Sequence, residues 1–162
     1  MQYRSLYLLI ILFFTSTINS FSQSKKEVKK NKIKTCMVVD TENGKTITDK
    51  KILFEKNGEI SEETEYDKNG VVKSVHKYKY NKEGDEIEES EFNLTDKLVK
   101  KKITKYNSFN EKSEEQFYDG NGILQKSYLY TYDSKGLKIE RKTLDGSGKT
   151  VETRKYMYTY GK

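Results

Sequence analysis

The sequence has no proline and no tryptophan, and it has one cysteine and one histidine among 162 residues. A single cysteine excludes an internal disulfide, and one cysteine with one histidine cannot supply a zinc site of the usual four-ligand kind. Hydrophobic residues make up 33% and charged residues 35%, so a thick apolar core between two layers is hard to fill. We therefore expect one domain, with no metal and no other cofactor.

The N-terminus has the three-part pattern of a secretory signal peptide. Leu6–Phe14 is an apolar run, and Ser20-Phe21-Ser22 places small residues at the two positions that a signal peptidase reads. A membrane-spanning helix needs about 20 apolar residues, more than this run supplies. The pattern predicts cleavage after Ser22, a protein that is secreted, periplasmic or on the cell surface, and no transmembrane segment after processing. Cys36 then remains as a free thiol, most simply a half-buried strand residue.

The positive charge is concentrated in a short segment. Residues 24–34 hold six Lys and one Glu, whereas residues 35–162 hold 24 Lys and Arg against 24 Asp and Glu. We expect residues 1–22 to be the signal peptide, 23–34 a flexible basic leader and 35–162 the folded domain. The leader is either a solvated spacer or a contact for anionic lipid or another polyanion. The neutral body of an exported protein argues against nucleic-acid binding.

A 26-residue repeat organises the body. Each copy of its turn motif is five residues long: an aromatic or apolar residue comes first, Asp, Asn or Glu comes second, and Gly, Asp or Asn comes fifth. The first residues of successive copies lie alternately 12 and 14 positions apart. A final Gly, Asp or Asn tolerates a left-handed backbone, as in the common three-residue hairpin loop. The predicted turn residues are Gly44, Gly58, Gly70, Gly84, Asp96, Asn110, Gly122, Gly136 and Gly148.

The segments between these turns alternate polar and apolar residues, which is the period of a β-strand. Nine turns divide the body into ten segments, and no proline interrupts them. The sequence therefore predicts an all-β fold. We expect an antiparallel up-and-down meander of about ten strands, built from 26-residue two-strand repeats. The sheet is either open and curled or closed into a barrel.

The turn geometry also predicts which residues face each other. If Asp67 pairs with Val71, then Glu62 lies opposite His76, and the repeat gives Glu88 opposite Lys102, Glu114 opposite Tyr128 and Glu140 opposite Arg154. The tyrosines should share the face of these glutamates, because side chains alternate along a strand. The other face would carry the aliphatic residues Ile47, Leu53, Val71, Val75, Val99, Ile103, Ile123, Leu129, Val151 and Met157.

Residues 130–137, Tyr-Thr-Tyr-Asp-Ser-Lys-Gly-Leu, resemble the YD repeat of Rhs-type proteins, and residues 78–84 are a looser copy. The resemblance implies a β-rich, secreted or surface-exposed protein. It also implies carbohydrate binding or enclosure of a partner chain. The 12/14 spacing, the short chain and Leu137 in place of a basic residue depart from the family pattern. The resemblance implies no catalytic residue.

Three functions follow from these patterns. The first is weak binding of a glycan, or of another protein, through a tyrosine-rich face, because tyrosine can stack on sugar rings and donate hydrogen bonds. Its candidate residues are Tyr78, Tyr80, Tyr106, Tyr128, Tyr130, Tyr132, Tyr156 and Tyr158. The second is a scaffold that associates with itself or a partner through its sheet edges, above all Lys149–Tyr160.

The third function is hydrolysis of a polysaccharide by two glutamates. Glutamates two strands apart would be about 9.6 Å from each other, at the limit of the separation found in inverting glycosidases. Their predicted Lys, Arg and Tyr partners lower a carboxylate pKa rather than raising it. We therefore expect a protein without enzymatic activity and without catalytic residues.

Overall fold

A computed structural model describes residues 24–161, so the signal peptide predicted at 1–22 lies outside the described residues. After helix α1 (Lys25–Lys30) the chain forms ten strands in one sheet. The strands are β1 Thr35–Glu42, β2 Lys45–Phe54, β3 Ile60–Tyr66, β4 Val72–Tyr80, β5 Glu86–Phe92, β6 Leu98–Tyr106, β7 Lys112–Asp119, β8 Leu124–Tyr132, β9 Lys138–Asp145 and β10 Thr150–Lys155.

Every strand pairs antiparallel with the next along the chain, and the sheet is not closed into a barrel. The predicted ten-strand open meander is therefore confirmed, and the closed alternative is wrong. Within residues 24–161 no helix has the length and apolar character to cross a membrane.

Eight of the nine turns are built as the repeat predicts, whereas the β1–β2 turn is a two-residue turn in which Asn43 and Gly44 both have positive φ. All nine turn residues have positive φ, between 57° and 89°. In the β3–β4 turn the N–H of Gly70 donates to the Asp67 carbonyl oxygen at 2.9 Å. The Asp67 carboxylate accepts from the N–H groups of Asn69 and Val71 at 2.8 and 2.9 Å. Asx bonds of this kind fix the turn locally, and they recur in the later repeats.

The predicted register beyond the turns is wrong by one residue. Tyr66 faces Val72 as expected, but a bulge follows at Lys73, so Glu65 pairs with Ser74 and Glu62 lies opposite Lys77. A bulge leaves one extra residue unpaired. Beyond it the pairing is shifted by one residue, so two side chains that were predicted to lie side by side are on opposite faces of the sheet. The other predicted pairs fail alike: Glu88 lies opposite Ile103, Glu114 opposite Leu129 and Glu140 opposite Lys155.

The bulges decide what each face carries. One face, the tyrosine face, presents Tyr78, Glu89, Lys102, Phe117 and Lys126 as directly paired neighbours on β4–β8. The opposite, aliphatic face carries Leu53, Val75, Ile103 and Leu129, together with the glutamates predicted to accompany the tyrosines. Val71, Ile123, Val151 and Met157 are exposed instead of covering this face.

Charge pairing takes the place of an apolar core. Among the described residues only Val28 and Ile52 are buried apolar side chains, each 1% exposed. Strands β4 and β6 carry three and four lysines without an acidic residue, and β5 between them carries four glutamates without a lysine. Ion pairs such as Lys79–Glu88, at 2.9 Å, join these strands. Cross-strand pairs contribute roughly 0.2–1 kcal/mol each, so many small contributions together stabilise the sheet.

The segment predicted to be a flexible leader contains helix α1. Ser24 and Glu27 form a capping box in which each side chain accepts a hydrogen bond from the main-chain N–H of the other. Such a box satisfies N–H groups that the first helical turn leaves unpaired. The expectation of a wholly flexible segment overlooked this local signal.

Helix α1 also packs against the sheet. Val28 is buried, and the Lys25 ammonium lies 2.5 Å from the Glu59 carboxylate, which is itself buried beside the β2–β3 turn. Asn57 donates a second hydrogen bond to Glu59 at 2.8 Å. A buried carboxylate needs such partners, so Glu59 fixes the helix to this end of the sheet.

Candidate binding face

Half of the predicted tyrosines bind the protein's own main chain. The hydroxyls of four tyrosines spaced by 26 residues each donate to a carbonyl oxygen twenty residues earlier, at 2.6 to 3.0 Å. These tyrosines are Tyr80, Tyr106, Tyr132 and Tyr158. Burial raises the pKa of Tyr80 to about 12. This set therefore ties the ends of β4, β6 and β8, and the segment that follows β10, to the start of the strand before each.

Two further tyrosines bind carboxylates on the tyrosine face. The Tyr78 hydroxyl donates to Glu63 at 3.1 Å, and the Tyr130 hydroxyl makes a short hydrogen bond to Glu115. Burial, reinforced by these carboxylates, raises the pKa of both phenols. Both hydroxyls therefore stay protonated and act as donors.

The carboxylates at the centre of the face are held ionised. The approach of His76 Nδ1 to 3.4 Å and a hydrogen bond from Lys102 lower the pKa of Glu89 to about 2, against the opposing effect of burial. Burial would raise the pKa of Glu115, but hydrogen bonds from Lys112 and Tyr130 outweigh it and lower the pKa. Neither glutamate is therefore poised to donate a proton, as the general acid of a glycosidase must.

His76 is enclosed by acidic side chains. Its Nδ1 lies 3.4 Å from Glu89 and its Nε2 lies 3.9 Å from Glu91. The neighbouring Glu89 carboxylate raises the pKa of His76 despite partial burial, although Nδ1 has no hydrogen-bond partner among the described residues. The residue predicted to oppose it, Glu62, is on the other face, and Glu63 is its cross-strand partner instead. In residues 24–161 no group of three His, Cys, Asp or Glu side chains is arranged to hold a metal.

An aromatic–cation cluster occupies the tyrosine face on β7–β9. It consists of the rings of Phe117, Tyr128 and Tyr130 and the cations of Lys126, Lys138 and Arg141. The rings meet edge to face, with centroids 5.1 Å apart for Phe117–Tyr128 and 6.4 Å apart for Tyr128–Tyr130. This is the preferred geometry of aromatic pairs.

Each ring of the cluster has a cation over it. Lys126 lies 4.8 Å from the Phe117 centroid, Arg141 lies 4.8 Å from Tyr128, and Lys138 lies 4.6 Å from Tyr130. These distances are within the range of cation–π attraction.

The ion pairing of these cations differs. Arg141 also pairs with Glu152 at 3.2 Å. Within the described chain Lys126 and Lys138 make no ion pair with a carboxylate, and Lys126 donates instead to the Tyr128 hydroxyl at 2.9 Å. Two ammonium groups are therefore held on an aromatic surface with no carboxylate within 4 Å in the described chain, although Asp145 is the residue paired with Lys126 across the strands.

An open groove leads into this cluster from β5 and β6. Phe117 and Lys126 line one side, and Glu89, Lys100 and Lys102 line the other. Sequence reasoning did not select Phe117, because the register without the bulge pairs it with Gln125 and not with Lys126. The bulge itself follows the repeat. The unpaired residues Lys73, Val99, Gln125 and Val151 are 26 positions apart, so a bulge recognised in one repeat predicts the pairing of Phe117 with Lys126 in another.

The predicted C-terminal segment is a strand over only part of its length. Strand β10 ends at Lys155, although the Tyr156 N–H still donates to Ile139 at 3.0 Å. Tyr156 lies 5.8 Å from the Lys138 ammonium, so it borders the aromatic–cation cluster. Cys36 lies half-buried in β1 as a free thiol.

No protein-family model matches this chain, no YD-repeat family is detected, and no curated protein shows significant similarity. Solved structures with a similar sheet include a protein of unknown function from Bacteroides fragilis, 13% identical over 78% of this chain and 96% of its own, with a TM-score of 0.43. A DUF3836 family protein from Bacteroides vulgatus is 15% identical over 67% of this chain and 98% of its own, with a TM-score of 0.32. TarM is 17% identical over 78% of this chain and 22% of its own, with a TM-score of 0.32. These similarities assign no function.

Proposed function

We propose that this chain is an exported, non-catalytic module that binds acidic glycans weakly through the aromatic–cation cluster on β7–β9. The observation that carries the proposal is the pair of lysines, Lys126 and Lys138, held over aromatic rings without a carboxylate partner in the described chain. The proposed ligand supplies carboxylate or sulfate groups to these ammonium groups. The sugar ring then lies against the aromatic edges.

The cluster suits an acidic sugar better than a neutral one. Cations already cover the faces of Phe117, Tyr128 and Tyr130, so a neutral sugar would have to displace a favourable cation–π contact to stack there. An anionic group instead approaches the exposed side of the ammonium and keeps that contact. The four tyrosines that bind main-chain carbonyls are excluded from this site. Of the other four predicted tyrosines, Tyr78 lies on β4 and donates to Glu63, so Tyr128, Tyr130 and the bordering Tyr156 remain.

A binding role is better supported than hydrolysis. The glutamates first considered for catalysis lie on the aliphatic face, where Lys79 pairs with Glu88 at 2.9 Å and Lys105 with Glu114 at 2.8 Å. On the tyrosine face the pKa values of Glu89 and Glu115 are lowered, whereas general-acid catalysis needs a raised one. Export rests on the sequence pattern of residues 1–22 alone.

The test is to titrate residues 23–162 with polygalacturonate, heparin and neutral dextran, and to measure binding by calorimetry and by tyrosine fluorescence. We expect weak, salt-sensitive binding to the two acidic polymers and none to dextran. In the Lys126→Gln/Lys138→Gln variant two surface ion contacts are lost, each contributing up to about 1 kcal/mol. Affinity should therefore fall by up to about thirtyfold.

The matched control is Lys77→Gln/Lys135→Gln. Lys77 lies 4.8 Å from the Phe92 ring and Lys135 lies 4.6 Å from the Tyr160 ring, and neither lysine belongs to the cluster or lines the groove. This variant therefore loses the same two charges and the same kind of contact elsewhere. It should bind within about twofold of the unaltered protein. Equal losses in both variants would mean that only net charge matters, and strong binding to dextran would contradict the proposed chemistry.

A further inference from the structure

We infer that copies of this chain associate head to tail, with β10 of one copy pairing antiparallel with β1 of the next so that the sheet continues. The inference is independent of the glycan proposal, because it concerns the two sheet edges and not the tyrosine face. It rests on the accessibility of the edges, on the repeat geometry and on charge.

Both edges are open, and β1 carries no lysine or proline, although a bulge interrupts its pairing with β2 between Val38 and Val39. Strands β1 and β10 each have a single neighbouring strand in the described sheet. Natural edges are commonly blunted by lysine, proline or brevity. Strand β1 has eight residues with no Lys, Arg or Pro, and Met37 and Val39 are 56% and 50% exposed. Helix α1 contacts the turns after β2 and β4, so it leaves this outer edge open.

The C-terminal edge keeps the tyrosine bond of the internal even strands, although β10 itself is shorter and ends at Lys155. Tyr158 donates to the Lys138 carbonyl oxygen, as Tyr80, Tyr106 and Tyr132 do at the ends of β4, β6 and β8. Terminal units of repeat proteins are usually altered into polar caps, and this bond is unaltered. Because successive strands alternate in direction, β10 runs opposite to β1, and the new pair would be antiparallel like the nine existing ones.

Charge selects the head-to-tail pair over two alternatives. From β1 to β8, each odd strand is net negative and each even strand net positive. Strand β1 holds Asp40 and Glu42 without a cation, and β10 holds Arg154 and Lys155 against Glu152. Strand β9, like β10, is net positive, so the alternation ends at β8, but pairing β10 with β1 places a net positive strand beside a net negative one. Pairing β1 with β1, or β10 with β10, places like charges on adjacent strands, which is destabilising.

The first experiment is sedimentation velocity of residues 23–162 from about 1 µM to 1 mM at low and high salt. We expect the mass to rise above the monomer with concentration, less so at high salt because surface charges are screened. Met37→Lys/Val39→Lys should keep the protein monomeric. The matched control is Leu94→Lys/Ile123→Lys, which adds the same charges at residues 65% and 60% exposed in the β5–β6 and β7–β8 turns, away from both edge strands. It should associate like the unaltered protein.

A mixing experiment separates head-to-tail association from symmetric pairing. Arg154→Glu/Lys155→Glu leaves β1 native but makes β10 acidic, so this variant alone should be monomeric. Mixed with Met37→Lys/Val39→Lys, it should associate, because one partner offers a native β10 and the other a native β1. A monomeric mixture, self-association of either variant alone, or a monomeric unaltered protein at 1 mM would each overturn the inference. Glycan affinity of the monomeric variants tests the other proposal separately.

Discussion

Replacing Gly58 by alanine should cost more stability than the same change at Gly70, and the difference measures the docking of helix α1. Both glycines close hairpin turns with positive φ, +89° and +77°. A left-handed backbone costs an L-residue roughly 1–2 kcal/mol, so both variants bear this strain. A Cβ at Gly70 would meet no atom within 4 Å, whereas a Cβ at Gly58 would overlap the carbonyl oxygen of Lys25 in helix α1.

The extra cost at Gly58 follows from what the helix buries. To make room for the methyl group, α1 must move away from the turn, which exposes Val28 and separates Lys25 from Glu59. Full burial of a valine contributes about 1.5–3 kcal/mol. We therefore expect Gly58→Ala to lower the free energy of unfolding by about 2.5–5 kcal/mol and Gly70→Ala by about 1–2 kcal/mol.

Urea unfolding followed by circular dichroism measures both variants. In a Val28→Ala background the difference between the glycine variants should shrink, because residues that act through one contact are not additive. Equal costs at the two glycines, or an unchanged difference in that background, would refute the docked helix.

Three further predictions concern the tyrosine face and the turns. The pKa of Glu89 is lowered to about 2 from the 4.5 of a free side chain, so the stability that Glu89 contributes is present above pH 4.5 and is lost as the pH falls towards 2. In urea titrations at several pH values, Glu89→Gln should reduce the loss of unfolding free energy between pH 4.5 and 2. Tyr130→Phe leaves buried Glu115 without one donor and should cost about 1–3 kcal/mol; a cost below 0.5 kcal/mol in thermal unfolding would contradict this role. Asn110 has φ of 62°, so Asn110→Val should lower stability by about 2 kcal/mol whereas Asn110→Gly should change it by less than about 1 kcal/mol.

Sequence reasoning succeeded where the structure is local. A turn such as Asp67–Gly70 is specified by its own residues, because the Asp side chain bonds the turn and Gly accepts positive φ. Strand period and the spacing of the turns then gave the meander. The capping box at Ser24 is equally local and would have predicted helix α1.

The candidate site was only partly predictable. The tyrosines were selected by their repetition, but repetition does not reveal which hydroxyls bind the main chain. Tyr132 and Tyr130 are two residues apart on the same face, yet one donates to a carbonyl and the other to Glu115. Phe117 and Lys126 came together only through a bulge.

The amino-acid sequence by itself determined where the chain turns, how many strands it forms and that consecutive strands pair, because each depends on a few neighbouring residues. Only the tertiary structure decided which side chains share a face, since one extra residue in each hairpin inverts the register and its position depends on pairing between strands. Burial of Val28 likewise required the sheet surface that receives it.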